Sequence, residues 1–296
     1  MCSGTEEKFI SNLKTLWKLS FDDSDAFIDL FFNTVYKKEN MLTIENEEGT
    51  PVSMTYLYTF DVKIQGKKSR WMYLYALSTH PQYRNIGYAE QLINEAKNRA
   101  KIEEKTLFLV PGNEKLREYY KKRGFCDTFY RYKTQINKIH PPIGEYKLKK
   151  CENLTANEIA SMYEMYNNYK EKQDNICFQD EKSIKFMLTD CGYEKMNVCQ
   201  DENGFVIYQM QKNNEIKIVF ISAENGMDMV SYICRSNGVE KCALSLSEQE
   251  MQTAQTKYEK KISYSREMYA MAYAFEKLNE KIRKGEIYPF ANKLFN

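Results

Sequence analysis

The stretch STHPQYRNIGYAEQLINEA, residues 78–96, decides the fold because it joins a strand pattern directly to a helix pattern. The apolar run WMYLYAL comes just before it and predicts a buried strand. Residues 89–101 then place apolar side chains at helical spacing, with polar side chains on the opposite face. Arg84, Gly87 and Ala89 lie at the junction, and they supply one fixed positive charge and two small residues.

A helix that begins directly after a strand presents backbone N–H groups without helical partners, together with the positive end of its dipole. Gly87 lets a ligand approach the backbone closely, Ala89 keeps the first turn small, and Arg84 adds a guanidinium group. This combination favours a phosphate-binding helix N-terminus. An ordinary strand-to-helix connection with a surface Arg is the alternative that these residues alone leave open.

Composition limits the classes of protein to consider. The chain has 296 residues, enough for two domains, and its 43% hydrophobic and 14% aromatic residues are typical of a globular protein. With 43 basic and 41 acidic side chains the net charge is only +2, so no strong field is available for nucleic acid, and we expect no such partner.

The eight Cys form no C-x-x-C pair and are accompanied by only two His, so we expect reduced thiols and no metal site. Cys126 and Cys191 could act as nucleophiles, but no His lies near either in sequence, which favours buried apolar packing. No signal-like N-terminus and no apolar run of transmembrane length are present. We therefore expect a cytoplasmic protein without a membrane partner, and the oligomeric state stays open.

Periodicity predicts the elements of the first half. Helical spacing marks residues 5–19 and 24–36, and period-2 alternation over 51–60 predicts a half-buried strand. That strand should pair as a hairpin with the WMYLYAL run. The short apolar run KTLFLV, residues 105–110, follows the helix over 89–101 and should lie parallel to YLYAL. A helix over 114–123, closed by Gly124, and a returning strand, DTFYRYKTQI, complete this half.

The Pro- and Gly-containing stretch NKIHPPIGEYKLKK predicts a linker between domains over residues 1–140 and 146–296. Beyond it the pattern helix, helix, hairpin, strand, helix, strand occurs a second time, so the halves are predicted to be two copies of one topology. The second copy has the acidic AENGMDMVSYIC where the first has its Arg and Gly. The stretch REMYAMAYAFEKL, residues 266–278, is interpreted as a core helix.

Two motifs carry a family resemblance. RNIGYA, residues 84–89, resembles the R/Q-x-x-G-x-G/A signature of the GNAT N-acetyltransferases, and the preceding THPQY is also usual in that family. LVPGNEKLREYYKKRGF is similar to the family's second motif, with Asn113 followed seven residues later by Tyr120 within Y-x-x-x-G-F. The resemblance covers roughly residues 1–137. The second half is similar, more weakly, to the degenerate second repeat of tandem GNAT proteins, including its closing YPFANKLFN.

The resemblance implies an α/β (α+β) GNAT fold, with a mixed, mostly antiparallel sheet that splays in a V between YLYAL and TLFLV. Acetyl-CoA would lie in the V as the acyl donor, with pantetheine along the first strand and pyrophosphate on the loop. A GNAT-like second domain without CoA would follow. The residues that this implies for cofactor binding are Leu77, Thr79, Arg84, Asn85, Ile86, Gly87, Tyr88, Ala89, Asn113 and Tyr120.

The resemblance also implies direct attack of an amine on the thioester. Backbone N–H groups near Leu77 would stabilise the oxyanion, and Tyr120 would be the catalytic general acid for the departing thiolate. Packing on the sheet is the alternative role for Tyr120. Asn113 would contact pantetheine or cap its helix. The general base is not identified: no Glu lies in WMYLYAL, and a water chain is favoured over His80 or the C-terminal carboxylate of Asn296.

Two functions follow from this resemblance. The first is an N-acetyltransferase that acts on a primary amine. If the second half covers the cleft, we expect this amine to belong to a small molecule. The second is a CoA-binding sensor or interaction protein without turnover, which the unidentified base supports. The acceptor and the acyl-chain preference cannot be read from the sequence.

Overall fold

The computed structural model describes residues 4–137, 147–257, 262–273 and 290–291. In the first half the elements are α1 (Gly4–Lys18), α2 (Asp25–Thr34), β1 (Met41–Glu45), β2 (Pro51–Ile64), β3 (Lys67–Thr79), α3 (Tyr88–Ile102), β4 (Thr106–Leu109), α4 (Glu114–Lys121) and β5 (Cys126–Asn137). The second half contains β6 (Lys149–Cys151), α5 (Ala156–Glu171), β7 (Ile176–Phe178), α6 (Glu181–Tyr193), β8 (Asn197–Gln200), β9 (Phe205–Met210), β10 (Ile216–Ser222), α7 (Gly226–Ser236), β11 (Lys241–Leu246), α8 (Glu248–Lys257), β12 (Ser263–Tyr273) and β13 (Phe290–Ala291).

The chain folds as two compact units, each built from separate stretches. The first unit contains residues 1–61, 69–127 and 270–286, and the second contains 62–68, 128–269 and 287–296. The chain therefore passes from one unit to the other within β2, β3, β5 and β12, and once more after residue 286. The predicted boundary between residues 140 and 146 lies outside the described residues and stays a prediction.

The sheet of the first unit is mixed. Strand β1 pairs antiparallel with β2, which pairs with β3, and β3 pairs parallel with β4. The last residues of β12 then pair antiparallel with β4, with Met271 opposite Leu109. Helix α3 connects these two parallel strands, as predicted from the order of apolar run, helix and apolar run in the sequence.

The first unit buries a different kind of side chain on each face of its sheet. On one face α3 packs through Ile93, Ala96 and Ala100, all fully buried against aliphatic side chains of the strands. Aromatic rings form the other cluster: Trp17 lies with its ring centroid 4.8 Å from that of Phe31, which meets Tyr56 and Tyr75. The aromatic residues that periodicity placed on two helices and two strands therefore form one core.

The second unit repeats this plan. Strands β8, β9 and β10 are antiparallel neighbours, β10 pairs parallel with β11, and α7 connects them. Strand β6 lies beside β8 and the greater part of β5 lies beside β11, both antiparallel, with β12 on the other side of β5. The order of three strands, a helix, a strand and a further helix thus matches β1 to α4, and the predicted duplication of topology is confirmed.

One element interpretation is wrong. REMYAMAYAFEKL was interpreted as a helix, yet its described part, residues 266–273, belongs to strand β12. Met, Ala and Glu are good helix formers, but the propensity differences are small, and pairing beside β4 buries Ala270, Met271 and Ala272 almost completely. Tertiary pairing therefore overrides local propensity at this place.

The half-buried interpretation of residues 51–60 is also wrong. In β2 the Ser and Thr side chains are as buried as the apolar ones, with Ser53 and Thr55 both 0% exposed. Their hydroxyl groups donate to carbonyl oxygens of β3, so the polar face of the strand is satisfied without water. Alternation of polar and apolar residues therefore marks two buried faces here.

Candidate active site

The site lies where β3 and β4 separate. Their pairing covers Trp71 to Tyr73 on β3 and Thr106 to Phe108 on β4. Beyond Tyr73 strand β3 continues to Thr79, whereas β4 ends at Leu109. Residues 74–79 of β3 therefore have no partner on β4, and the V that the family resemblance implies would open beside them. Leu77 and Thr79 lie on the arm of β3 that has left its partner.

A backbone irregularity marks this arm of β3. Ala76 has φ +52°, a left-handed conformation that is uncommon for a residue inside a strand. On either side of it, the hydroxyl of Thr55 donates to the Tyr75 carbonyl (3.0 Å) and that of Ser53 to the Ser78 carbonyl (2.9 Å). These buried hydroxyls hold the irregular stretch in place. An Ala within an apolar run carries no signal of this kind, so sequence reasoning missed it.

The loop from Pro81 to Gly87 delivers the chain to α3. Gly87 is the residue before the helix and has φ +98°, a conformation that favours glycine. A Cβ built on Gly87 would meet no atom within 4 Å, so the space in front of the helix is open. Asn85 is also left-handed, with φ +65°. Two left-handed residues turn the loop, and the sequence anticipated only the glycine.

The N-terminus of α3 has free hydrogen-bonding capacity. The first backbone bond of the helix runs from the Gln91 amide to the Gly87 carbonyl (3.0 Å), which leaves the amides of residues 88–90 without helical acceptors. No side chain caps this helix, whereas Ser24, Asn113 and Thr155 cap α2, α4 and α5. Such an uncapped, exposed N-terminus can accept an anion.

Arg84 is held close to this terminus. Its Nε donates to the carbonyl oxygen of Thr79 at 3.1 Å, which ties the loop to the end of β3 and leaves the terminal nitrogens of the guanidinium in solvent. Arg84, Asn85 and Ile86 are all exposed, and Tyr88 stacks on Tyr83 with a centroid separation of 6.4 Å. Ala89 is half-buried in the first turn. The residues predicted to bind the pyrophosphate therefore run from this exposed loop into the first turn of α3.

Asn113 lies just beyond the end of β4. Its side-chain oxygen accepts a hydrogen bond from the Leu116 amide at 2.9 Å, so it caps α4. The capping role of the two that we predicted is thus present in the structure. The contact with pantetheine stays a prediction, for which the carboxamide NH₂ is the group that remains.

Tyr120 lies on α4, on the face that packs against the sheet. It is 7% exposed, and its ring contacts those of Tyr119 and Phe125 at 5.4 and 5.7 Å. Within the described residues its hydroxyl forms no hydrogen bond. Burial raises the pKa of Tyr120 above its ordinary value, so the side chain stays protonated. A neutral hydroxyl that can donate a proton fits a general acid, and the packed ring fits the alternative structural role as well.

The groups considered as bases or nucleophiles fall into different places. The Nδ1 of His80 accepts from the Gln82 amide at 3.4 Å, so this ring caps the short 3₁₀ turn Pro81–Tyr83. Cys126 is partly exposed and Cys191 is buried, both as free thiols. Asn296, whose carboxylate we considered as a base, lies outside the described residues.

The equivalent place in the second unit is built differently. Residues 223–225 alone connect β10 to α7, where residues 80–87 connect β3 to α3. A Cβ on Gly226, the first residue of α7, would overlap the side chain of Ile221. Glu224 and Asp228 flank this terminus with negative charge. This junction is shorter and more acidic than the one before α3, and the absence of a CoA site in the second half stays a prediction.

The described residues contain neither a cluster of metal ligands nor a membrane-spanning helix. Among the described residues no three His, Cys, Asp or Glu side chains are grouped so that they could hold a metal ion. The helices in the described ranges are each too short or too polar to cross a bilayer.

Comparison with solved structures shows the fold. The chain is similar to a probable N-acyltransferase of unknown function from Enterococcus faecalis (TM-score 0.69, 14% identity, 92% of this chain and 71% of that one). It is also similar to a GCN5-related N-acetyltransferase from Kribbella flavida (0.68, 15%, 90% and 70%). Eis1 from Mycobacterium abscessus is a third such structure (0.67, 10%, 93% and 72%). These identities are low, so the likeness concerns the fold.

No curated protein matches the sequence significantly. The profile of the Acetyltransferase (GNAT) domain family matches residues 3–126. This range contains both sequence motifs and every residue of the V-shaped opening in the first unit. Residues 3–126 therefore belong to the GNAT family of acetyltransferases, and a second, GNAT-like region follows them in the chain.

Proposed function

We propose that this protein transfers an acetyl group from acetyl-CoA to a primary amine, preferably of a small molecule. The observation that carries the proposal is the uncapped N-terminus of α3, with Gly87 and Arg84 in front of it, at the open end of the pair β3 and β4. Membership of residues 3–126 in an acyl-transferring family supports the same chemistry. The N-acetyltransferase from Kribbella flavida, which shares the fold, supports nitrogen as the acceptor atom.

The residues present fit a CoA diphosphate. The amides of residues 88–90 supply donors, the guanidinium of Arg84 supplies positive charge, and the space in front of Gly87 allows close approach. From Leu74 to Thr79, the edge of β3 that no longer pairs with β4 offers backbone groups to an extended chain such as pantetheine. Asn113 at the opposite strand end offers its carboxamide.

Acetyl-CoA supplies an activated thioester, and this chain would position it and stabilise the charge that develops. Backbone N–H groups near Leu77, directly after the left-handed Ala76, are the donors that we assign to the carbonyl oxygen of the thioester. Each such donor contributes on the order of 3 kcal/mol in other enzymes. Tyr120 would give its proton to the sulfur as the C–S bond breaks, and its raised pKa keeps that proton in place until then.

The amine must reach the site as the free base or lose its proton there. His80 is engaged as a cap of the turn that follows β3, so it supports this role poorly. We propose that water at the open V accepts the proton of the ammonium group. The rate should then rise with pH until the acceptor amine is deprotonated.

A thiol-release assay tests the proposal. Purified full-length protein is given acetyl-CoA and, in turn, a polyamine, an aminoglycoside, an amino acid and a peptide N-terminus. CoA release that accelerates for at least one amine, with an acetylated product of the expected mass, is the result we expect. Calorimetric binding of acetyl-CoA without accelerated release for any amine would instead indicate the non-catalytic sensor. Absence of acetyl-CoA binding would contradict both functions.

A further inference from the structure

The second unit contains a cavity at the place that corresponds to the V of the first unit. Strands β10 and β11 pair only over Ile216–Lys217 and Cys242–Ala243, and then both continue. At their carboxyl ends, together with α5, α7 and α8, a cavity of about 320 Å³ opens. This volume lies at the lower end of the range for small-molecule sites.

The floor of the cavity is apolar. Ile221 and Leu246 come from the ends of the two strands, and Met227 comes from the first turn of α7. All three are at most 8% exposed, so they form a stable wall. The N-terminus of α7 is packed onto this wall, because Gly226 touches Ile221.

One carboxylate in the cavity carries no cation partner. Glu250 accepts hydrogen bonds from the Tyr169 hydroxyl (2.6 Å) and from the Ser247 amide (2.7 Å). Within the described residues no Lys or Arg forms an ion pair with it, whereas Glu224 at the rim is paired with Lys172. Burial and the neighbouring carboxylate raise the pKa of Tyr169, so Tyr169 stays a donor. A carboxylate offers about four acceptor positions, and two remain at Glu250.

A second polar group faces the cavity without a partner. Gln173, just beyond α5, is only 7% exposed and lines the same cavity. In the part of the chain that the structure describes, its carboxamide makes no hydrogen bond. The chain therefore leaves this carboxamide available to a molecule in the cavity, as donor and as acceptor. It is an observation independent of the carboxylate.

We propose that this cavity binds a small organic cation, a protonated amine attached to an apolar group. The ammonium would donate to Glu250 and to the carbonyl oxygen of Gln173, and the apolar part would lie on Ile221, Met227 and Leu246. The alternative, purely structural role of Glu250 is to complete the capping box with Ser247 at the start of α8. That role uses one carboxylate oxygen and leaves the charge itself unused.

The probe is phenethylamine, with 2-phenylethanol as its neutral counterpart. Full-length protein with ¹³C-methyl methionine reports binding at Met227, whose resonance is assigned with Met227→Leu. We expect phenethylamine to shift this resonance saturably and 2-phenylethanol to give no saturable shift. If the shift at Met227 does not saturate with phenethylamine up to about 10 mM, the proposal is overturned.

Two substitutions test the assignment. Glu250→Gln keeps the capping box, since Gln serves at that position as Glu does, but removes the charge. It should weaken phenethylamine by about tenfold or more. Glu248→Gln removes the same charge from the exposed start of the same helix and should change binding by less than about twofold. Equal affinity of Glu250→Gln and wild type would also overturn the proposal.

Gln173→Leu provides a variant outside the capping box, and it should weaken phenethylamine at Met227 in the same direction. An unchanged affinity would remove Gln173 from the site and contradict the proposal. Tyr120→Phe should leave the Met227 titration unchanged, because the inference does not depend on the acetyltransferase reaction. A failed acetylation assay therefore leaves this test intact, and a failed titration leaves the transferase proposal intact.

Discussion

Helices α3 and α7 both begin where a strand has left its parallel neighbour, yet residues 80–87 lead into α3 and only residues 223–225 lead into α7. The longer loop turns at Asn85 and Gly87 and leaves open space before an uncapped helix. The shorter one packs Gly226 directly onto Ile221. The same topology thus yields an exposed, uncapped helix N-terminus in one unit, which we propose as the anion site, and a packed strand-to-helix junction in the other.

A second difference lies on the following helix. Asn113 and Ser247 are the residues directly before α4 and α8, and each accepts a bond from the amide three residues later. Seven residues after Asn113 is Tyr120, whereas the residue at that distance from Ser247 is Ala254. Both are buried on the sheet side of their helices. The second unit thus keeps the helix and its cap but lacks the hydroxyl proposed as the acid.

The largest expected effect tests this second difference. Tyr120→Phe should lower kcat by about 100-fold or more, because the thiolate then leaves without a proton donor. Affinity for acetyl-CoA should stay within about twofold, since the ring still packs on Phe125. The measurement is steady-state CoA release together with calorimetry.

Tyr119→Phe is the matched control, because it removes a hydroxyl from the adjacent, half-buried ring. It should leave kcat within about threefold. A Tyr120→Phe enzyme with the wild-type rate would assign Tyr120 to packing alone.

The two glycines provide the next test. Gly226→Ala should destabilise the protein by about 1–3 kcal/mol, because the added methyl overlaps Ile221 in a packed core. Acetyl-CoA affinity should not change. Urea unfolding and calorimetry on the same preparations measure both quantities.

Gly87→Ala should show the opposite pattern. Its left-handed conformation costs about 1–2 kcal/mol for alanine, and the methyl lies where a phosphate would approach, so acetyl-CoA affinity should fall by about tenfold or more. If both variants bind acetyl-CoA like wild type, the N-terminus of α3 is not the diphosphate site.

A smaller effect is expected at the loop charge. Arg84→Ala should weaken CoA by about tenfold, and dephospho-CoA by a similar factor, because the charge acts on the diphosphate that both share. The loss should shrink at high salt. Arg70→Ala, at another exposed Arg on β3, is the control and should bind normally. A loss confined to CoA would place Arg84 at the 3′-phosphate instead.

The smallest effect concerns pH. Because the pKa of Tyr120 is raised by burial, its acid form persists above the ordinary value near 10.0. The kcat of wild type should therefore show no decline between pH 8 and 10 once the amine is saturating. A decline in this range that Tyr120→Phe abolishes would show that the hydroxyl ionises there and contradict the shift.

Much of this site could be predicted from local sequence. Gly87 and Arg84 predict the open, uncapped start of α3 because conformation and charge are properties of single residues, and Asn113 caps α4 as its residue type suggests. The duplication was readable from the repeated order of patterns. The family profile over residues 3–126 confirms the resemblance that the two motifs carried.

The sequence alone determined which helix N-terminus can accept a phosphate, because unpartnered amides, a glycine and an arginine act over one helical turn. Only the tertiary structure decided the rest, since it depends on pairing between distant residues. It placed residues 266–273 in a strand beside β4 instead of in a helix, and it buried Ser53 and Thr55 to hold the irregular backbone at Ala76. It also formed the cavity around Glu250 and Gln173, whose walls come from stretches that no periodicity connects.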